Sequence, residues 1–361
     1  MAADEPHVHG HAHVALAERV ASASVHRFAD EVGVDGRVRV VGAKTQWLIG
    51  RRADDRRADD MPTDGVPIGG RAADGGALVG GGALVGGNAD VRELRAPDGV
   101  VDVQPSELIV RVGAGTPVAD LDVALAEVGL QCPLDPASAA ATVGGVLSVG
   151  CSGVRRLRHG HVRDTVLEAL YVSADGVLRR AGAPVVKNVT GFDLPRLLVG
   201  SIGTLGLIGE VVLRCGPLPQ RRGWWSAVNV DPWEVRRSLF RPSSILWDGT
   251  RTYVQLEGSE AEVHAEVHAL PGTTWEQCEP LTLPEPRSLL DPTTLKRLRH
   301  EYPSVVFGIH APSWIAEIGA GVIHGVSLPV PPMAAPILDL NRRMKDALDP
   351  AGRLNPGVLP W

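Results

Sequence analysis

Pro136-Ala137-Ser138-Ala139-Ala140-Ala141-Thr142-Val143-Gly144-Gly145 opens the part of this chain whose reading decides the fold. The stretch runs on through Cys151-Ser152-Gly153 and Gly160-His161-Val162-Arg163-Asp164. It then passes Val185-Val186-Lys187-Asn188-Val189-Thr190-Gly191-Phe192-Asp193-Leu194 and closes with Gly200-Ser201-Ile202-Gly203-Thr204-Leu205-Gly206-Leu207-Ile208. Glycine, alanine and serine at this density let main chain come within van der Waals distance of a flat ring, and converging backbone N–H groups suit a phosphate. Taken singly, each of these glycines reads as a turn. In this order they read as a ligand cradle.

Working outward, the flanks supply ordinary secondary structure. Upstream, Val14 to Val32 reads as an amphipathic helix on Leu16, Val20, Phe28 and Val32, followed by a short strand at Val38 to Val41. Val100 to Val103 and Leu108 to Val112 read as strands. Thr116-Pro117 then signals a helix start, with Val118, Leu121, Leu125 and Val128 on one face and Gly129 ending it. Asp175-Gly176 between Val166–Val172 and Val177–Arg180 predicts a hairpin. A helix near 193–199 and a strand near 207–214 complete the region. Pro217-Leu218-Pro219 marks a boundary. Beyond it, strand-like Thr252 to Leu256 and helix-like Glu260 to Leu270 predict a smaller α+β unit over 218–330, which holds most of the tryptophans. A last helix, Met333 to Leu348, leads into Asp349-Pro350-Ala351-Gly352-Arg353-Leu354-Asn355-Pro356-Gly357.

Two stretches fall outside this pattern. Residues 1–13 carry His7, His9, His11 and His13 and read as a flexible tail, with transition-metal chelation as the competing reading. In 51–90, Arg51-Arg52-Ala53-Asp54-Asp55 is repeated as Arg56 to Asp60, and Ala77-Leu78-Val79-Gly80-Gly81 as Ala83 to Gly87. Tandem copies of this composition read as an inserted loop.

Composition removes several function classes. With 36 Lys+Arg against 42 Asp+Glu, the net charge of −6 offers no general attraction to nucleic acid. No apolar run approaches membrane-spanning length, and the start of the chain lacks a signal-peptide pattern, so a cytoplasmic protein is expected. The four cysteines form no C-x-x-C pair, which predicts neither a cysteine-ligated iron–sulfur cluster nor a metal site within the chain. Gly113-Ala114-Gly115-Thr116-Pro117-Val118 lacks the third glycine of a dinucleotide fingerprint and argues against a nicotinamide enzyme.

The glycine-rich series from 136 to 206, with Gly42 to Thr45 before it and Asp349-Pro350 to Asn355-Pro356-Gly357 after it, resembles the FAD-binding PCMH-type (vanillyl-alcohol oxidase-like) flavoproteins. Within them it is most similar to the small FAD-binding subunit of bacterial glycolate oxidase. The resemblance implies an α+β, two-subdomain FAD-binding fold over 14–217, a smaller α+β cap-like unit over 218–330, and a C-terminal segment, 331–361, returning to the FAD domain. It implies FAD held without a covalent bond. Gly42, Ala43, Lys44 and Thr45 would form a first diphosphate loop. Pro136, Ala141, Thr142, Val143, Gly144 and Gly145 would line the diphosphate and ribityl chain, joined by Ser152 and Gly153. Gly160, Arg163 and Asp164 would form the next wall, Gly206 and Ile208 would face the cofactor through main chain, and Asn355 would close the pocket. Gly42-Ala43-Lys44 departs from the family's consecutive glycines.

The cap motif His-x-x-Asp-Gly-Asn of the related catalytic flavin enzymes is missing, and His310 and His324 read as structural. No catalytic residue is therefore assigned. The resemblance implies an FAD-binding oxidoreductase subunit acting with a catalytic flavin subunit and an iron–sulfur subunit on a 2-hydroxy acid. A stand-alone flavin oxidoreductase and a flavin-free assembly scaffold are the alternatives.

Overall fold

The computed structural model describes residues 21–42, 90–136, 138, 140–184, 193–272, 274–290, 294, 297, 314–328 and 333–358. The described chain opens with α1 (Ala23–Val32); residues 14–20 of the expected helix lie outside the described residues. Ser22 starts α1, because its side chain accepts a hydrogen bond from Val25 N at 3.3 Å and caps the first turn. Strands β1 (Arg37–Val40) and β2 (Val91–Leu94) pair in parallel across the 51–89 segment, which lies outside the described residues.

Next come β3 (Val100–Gln104), β4 (Ile109–Gly113), α2 (Val118–Ala126) and β5 (Leu130–Gln131). The strand expected from Leu108 starts one residue later, because Leu108 takes a left-handed conformation. Thr116 does not cap α2. Its hydroxyl donates to Gly113 O at 2.7 Å and accepts from Gly99 N at 2.9 Å, so it closes the β4 turn, and Pro117 takes the cap position. The helix buries Val118, Leu121 and Leu125 but ends before Val128, which is exposed.

The glycine-rich stretch folds as α3 (Val143–Val149) and α4 (Arg156–His159). It is followed by β6 (Val166–Val172), β7 (Leu178–Gly182), α5 (Leu194–Leu198), β8 (Leu207–Arg214) and β9 (Gly216–Pro217). Five strands form one antiparallel sheet in the order β3-β4-β8-β6-β7. One face packs against α2 and α3 through Val118, Leu121, Leu125, Val143, Val146 and Leu147. On another side, Phe28 and Val32 of α1 meet Val38, Val172, Leu207 and Leu354.

After Pro217 the chain changes sheets. Strands β10 (Arg221–Val228), β11 (Ser244–Trp247), β12 (Arg251–Gly258), β13 (Glu276–Cys278), β14 (Arg287–Leu289), β15 (Ile315–Glu317) and β16 (Val322–His324) form a seven-stranded sheet, ordered β13-β10-β12-β11-β15-β16-β14. Strand alternation gives it two unlike faces. Trp225, Ile245, Val254, Leu256, Ala316 and Ile323 point to a core covered by α6 (Pro232–Ser238) and α7 (Glu260–Ala269). Trp224, Leu246 and Ile315 point the other way, onto Val154 of the glycine-rich segment.

The C-terminal helix, Ala335–Leu348, returns the chain to the first sheet. There Asp349 accepts from Arg353 N and Leu354 N, both at 2.9 Å. The Arg353 guanidinium donates to the carbonyls of Val32, Gly33, Asp35, Gly36 and Ala174. No described helix is long and apolar enough to cross a membrane.

Candidate functional site

The expected cofactor residues fall into three places. The first is the start of α3. Thr142 caps this helix, its hydroxyl accepting from Gly145 N at 3.1 Å. Gly42 lies directly against it: a Cβ added to Gly42 would stand 2.9 Å from Thr142 Oγ1. The first loop and the glycine-rich helix therefore meet at one point, although Ala43, Lys44 and Thr45 lie outside the described residues. Both Gly144 and Gly145 are helical with negative φ, so neither serves as a left-handed turn.

The two glycines differ in what surrounds them. A Cβ on Gly144 would fall 2.8 Å from both Cβ and O of Ala114, whose carbonyl accepts from Gly144 N at 2.7 Å, so sheet packing explains this glycine. A Cβ on Gly145 would meet Thr142 Oγ1 at 3.0 Å and nothing else within 4 Å. Beyond that hydroxyl the Cβ direction at Gly145 is open, which leaves room for a flat ring or ribityl chain to approach. The amides here are already used: Val143 N donates to Thr116 O, Gly144 N to Ala114 O and Gly145 N to the Thr142 hydroxyl. The helix start thus offers close approach rather than hydrogen-bond donors. Ala141 is buried and holds α2 through its carbonyl, which accepts from Val118 N; Pro136 is half-buried in the preceding loop.

The second place lies beyond the other end of α3, roughly 10 Å away for a helix of this length. Gly153 is packed so tightly on Asp135 that an added Cβ would fall 2.1 Å from its carbonyl oxygen. The Asp135 carboxylate in turn accepts from Arg155 N and Nε at 3.0 and 3.2 Å. The Ser152 hydroxyl accepts from Val162 N at 2.9 Å and lies 3.4 Å from His161 Nδ1. Gly160 turns with φ 79°, and its neighbour Asp164 accepts from His161 N and pairs with Arg196 at 3.0 Å. Arg163 is exposed.

This second place also gathers side chains that the sequence pattern did not single out. Arg156 donates to His161 Nε2. Burial, then the guanidinium groups of Arg156 and Arg163, push the His161 imidazole below its ordinary pKa, so it is neutral at pH 7. From the seven-stranded sheet, Arg287 donates to Ser152 O at 3.1 Å. On the same sheet His324 Nε2 lies 2.7 Å from Glu317 Oε1, both groups being buried. The only signal for these residues in sequence was their charge; no local spacing joins 156 to 287 or 317.

Gly206, Ile208 and Asn355 make the third place. A Cβ on Gly206 would lie 2.6 Å from the Tyr171 ring, and Ile208 is in the main core. Asn355 is a clamp: its amide oxygen accepts from Val40 N at 3.1 Å and its NH2 donates to Ile202 O at 2.6 Å, tying β1 to the loop before β8. Both polar ends are occupied by protein. Residues 185–192, the longest part of the family-like motif, lie outside the described residues.

Beside α4, the two sheets are joined by a charged cluster. The Glu257 carboxylate, almost fully buried, meets His159, Arg222 Nε at 2.7 Å and Arg155 at 3.5 Å. Burial opposes its ionisation, but the hydrogen bond with His159 and the charges of Arg155 and Arg222 hold it well below the usual carboxylate range. A cleft of about 570 Å³ opens here, lined by Arg158, His159, Arg241, Glu257 and Glu262. Of the expected cofactor residues that are described, only Asp164 reaches it.

Comparison with known proteins bears on this geometry. The FAD binding domain family matches residues 73–182, a span that includes Ala77 to Gly87, the second tandem repeat. The glycolate oxidase subunit GlcE of Escherichia coli is 28% identical over 304 residues, covering 73% of this chain and 85% of that protein. A D-lactate dehydrogenase of Archaeoglobus fulgidus is 38% identical over 117 residues, 32% of this chain and 26% of its own length. Among solved structures, alkyldihydroxyacetonephosphate synthase superposes with a TM-score of 0.56 at 15% identity, over 78% of this chain and 69% of that one. The close approach at Gly42, Thr142 and Gly145 fits the FAD that such a domain carries. Residues 73–182 are an FAD binding domain of the PCMH type, and over most of its length the chain is similar to a glycolate oxidase subunit.

Proposed function

We propose that this chain is the FAD-holding subunit of a complex that oxidises the CH–OH group of a small 2-hydroxy acid such as glycolate. One observation carries the reading. The likeness to the glycolate oxidase subunit runs over 85% of that protein, well beyond the 73–182 span of the FAD binding domain, whereas the D-lactate dehydrogenase match covers only 26% of its own length. FAD, when bound, supplies the hydride acceptor. The chain's own part is to hold it: Gly145 leaves room for close packing, Thr142 and Gly42 fix the loop beside it, and Asn355 with Arg353 pins the C-terminal segment across β1.

The partners are a catalytic flavin subunit and an iron–sulfur subunit, because the chain has no cysteine pattern to carry electrons onward. Its place is the cytoplasm, at the inner face of the membrane through those partners. Affinity purification of the tagged chain from its native host tests this. The expected result is stoichiometric FAD and two co-purifying chains, one with a flavin spectrum and one with an iron–sulfur spectrum. A chain that purifies alone and turns over a 2-hydroxy acid by itself would favour a stand-alone oxidoreductase; one that purifies colourless would favour a scaffold.

A further inference from the structure

Cys132 and Cys215 stand far apart in the sequence, yet the strand register brings them face to face. In the antiparallel pair of β5 and β9, Leu130 lies opposite Pro217 and Gln131 opposite Gly216, so the next pair along the ladder is Cys132 and Cys215. Leu218 N donates to Gly129 O at 2.8 Å, whereas Cys215 N turns away to Leu108 O at 2.7 Å. Hydrogen-bonded and non-hydrogen-bonded pairs alternate along such a ladder. Cys132 and Cys215 are therefore a non-hydrogen-bonded pair, with Cα atoms about 4.5 Å apart and both side chains on one face. That spacing falls inside the roughly 4.4–6.8 Å that a disulfide spans.

The sulfurs agree with the register. Cys132 Sγ reaches across to Arg214 O at 3.6 Å, beside Cys215, while Cys215 Sγ lies 3.9 Å from Leu213 O. Both thiols are free and belong to the core of the five-stranded sheet, Cys132 at 1% and Cys215 at 6% exposure. They differ in what lies outside them. Cys215 is on the wall of the cleft of about 570 Å³, and Cys132 sits behind it, off that wall. The hydrogen bond with Cys215, then burial, raise the Cys132 thiol well above its ordinary pKa, so it stays protonated. Cys215 is thus the sulfur that an oxidant in the cleft meets first.

We propose that Cys132 and Cys215 form a dithiol–disulfide site, oxidised by a hydroperoxide that enters from the cleft. The Cys215 sulfur attacks the O–O bond of hydrogen peroxide, giving a sulfenic acid and releasing one water. The Cys132 sulfur then attacks the Cys215 sulfur, and its proton leaves with the displaced hydroxide as a second water. Two thiols and one peroxide yield one disulfide and two waters, the sulfurs being oxidised and the O–O bond reduced. The new bond staples β5, which leads into the glycine-rich segment, to β9, which leads into the seven-stranded sheet. The site is independent of the substrate that the complex oxidises.

Peptide mapping of the purified full-length chain tests it. The folded protein is treated with hydrogen peroxide, its remaining thiols are alkylated in denaturant, and it is digested without reduction. The peptides bearing Cys132 and Cys215 should appear joined, two hydrogens lighter than their sum, and the oxidised protein should melt about 5 °C higher than the reduced one. Cys132→Ser should stop the reaction at a sulfenic acid that dimedone traps on Cys215. Cys215→Ser should slow oxidation of Cys132 at least tenfold, because the sulfur on the cleft wall is gone. Recovery of both cysteines in alkylated form after peroxide treatment would overturn the site, as would a cross-link that appears only once the chain is unfolded in urea. The map of the parent chain decides even if a variant fails to fold.

Discussion

Gly144 and Gly145 are neighbours in one helix, yet alanine at each should do opposite things. At Gly144 the new methyl would fall 2.8 Å from Ala114 Cβ and O. That backbone cannot withdraw, because Ala114 N donates to Gly209 O and Ala114 O accepts from Gly144 N. Overpacking against fixed main chain costs about 1–3 kcal/mol, part of which is returned by the roughly 1 kcal/mol that alanine gains over glycine inside a helix. At Gly145 the same gain applies, and the only neighbour is the Thr142 hydroxyl at 3.0 Å, whose displacement would weaken a cap worth about 1 kcal/mol. The two terms offset, so the flavin-free Gly145→Ala protein should melt within about 2 °C of the parent, given roughly 2 °C or less per kcal/mol for a chain of this size. Its FAD affinity should fall at least tenfold, because the methyl enters the space where main chain meets the cofactor. Gly144→Ala should show the reverse balance, with a lower melting temperature and FAD affinity changed less. Melting of the apo proteins and fluorescence titration with FAD measure both quantities. A Gly145→Ala protein that binds FAD as tightly as the parent would refute the placement of α3 against the cofactor.

Other outcomes follow from the same structure. Glu257 has its folded-state pKa depressed, so its contribution to stability is complete above the unfolded-state value of about 4.5 and is lost as pH falls below it; urea midpoints between pH 7 and pH 3 should drop more steeply for the parent than for Glu257→Gln. At pH 7 the Gln variant should be less stable by about 3 kcal/mol, the cost of breaking a buried ion pair. Arg353→Lys should also lower the urea midpoint, by about 3 kcal/mol or more, since an ammonium cannot span carbonyls of both α1 and the β6–β7 hairpin; an unchanged midpoint would show that the clamp is not stabilising. Acid precipitation should release all flavin, as Cys132 is buried in the core against Cys215. Colour retained by the denatured chain would point to Cys151, the half-buried thiol beside Arg287.

The FAD-binding fold was legible because it rests on local requirements. Close main-chain approach demands small residues at particular positions, and a run such as Thr142-Val143-Gly144-Gly145 records that demand in the sequence. The hairpin at Asp175-Gly176 was readable for the same reason, since turn chemistry lies within a few residues; the helix read from Glu260 proves to carry a Ser259 cap with Glu262 completing the box. Where local signals competed, they misled. Thr116 looked like a helix cap but found a better partner in Gly113 O, and the one continuous helix read over Val14 to Val32 is broken at Ser22, which caps α1.

Which glycine is packed against the fold and which stands open was decided only by the tertiary structure. Gly144, Gly153 and Gly206 answer to Ala114, Asp135 and Tyr171, residues 30, 18 and 35 positions away, and no pattern in the chain announces those contacts. The same holds for the charged groups. Arg156 comes within electrostatic reach of Glu317, Arg155 pairs with Glu257, and Cys132 lies against Cys215 because distant segments are brought together by the fold. Sequence by itself determined that this chain builds an FAD cradle of PCMH type, since backbone approach is written in residue size. Burial and charge balance belong to pairs of distant residues, so the polar junction between the sheets exists only once the chain has folded.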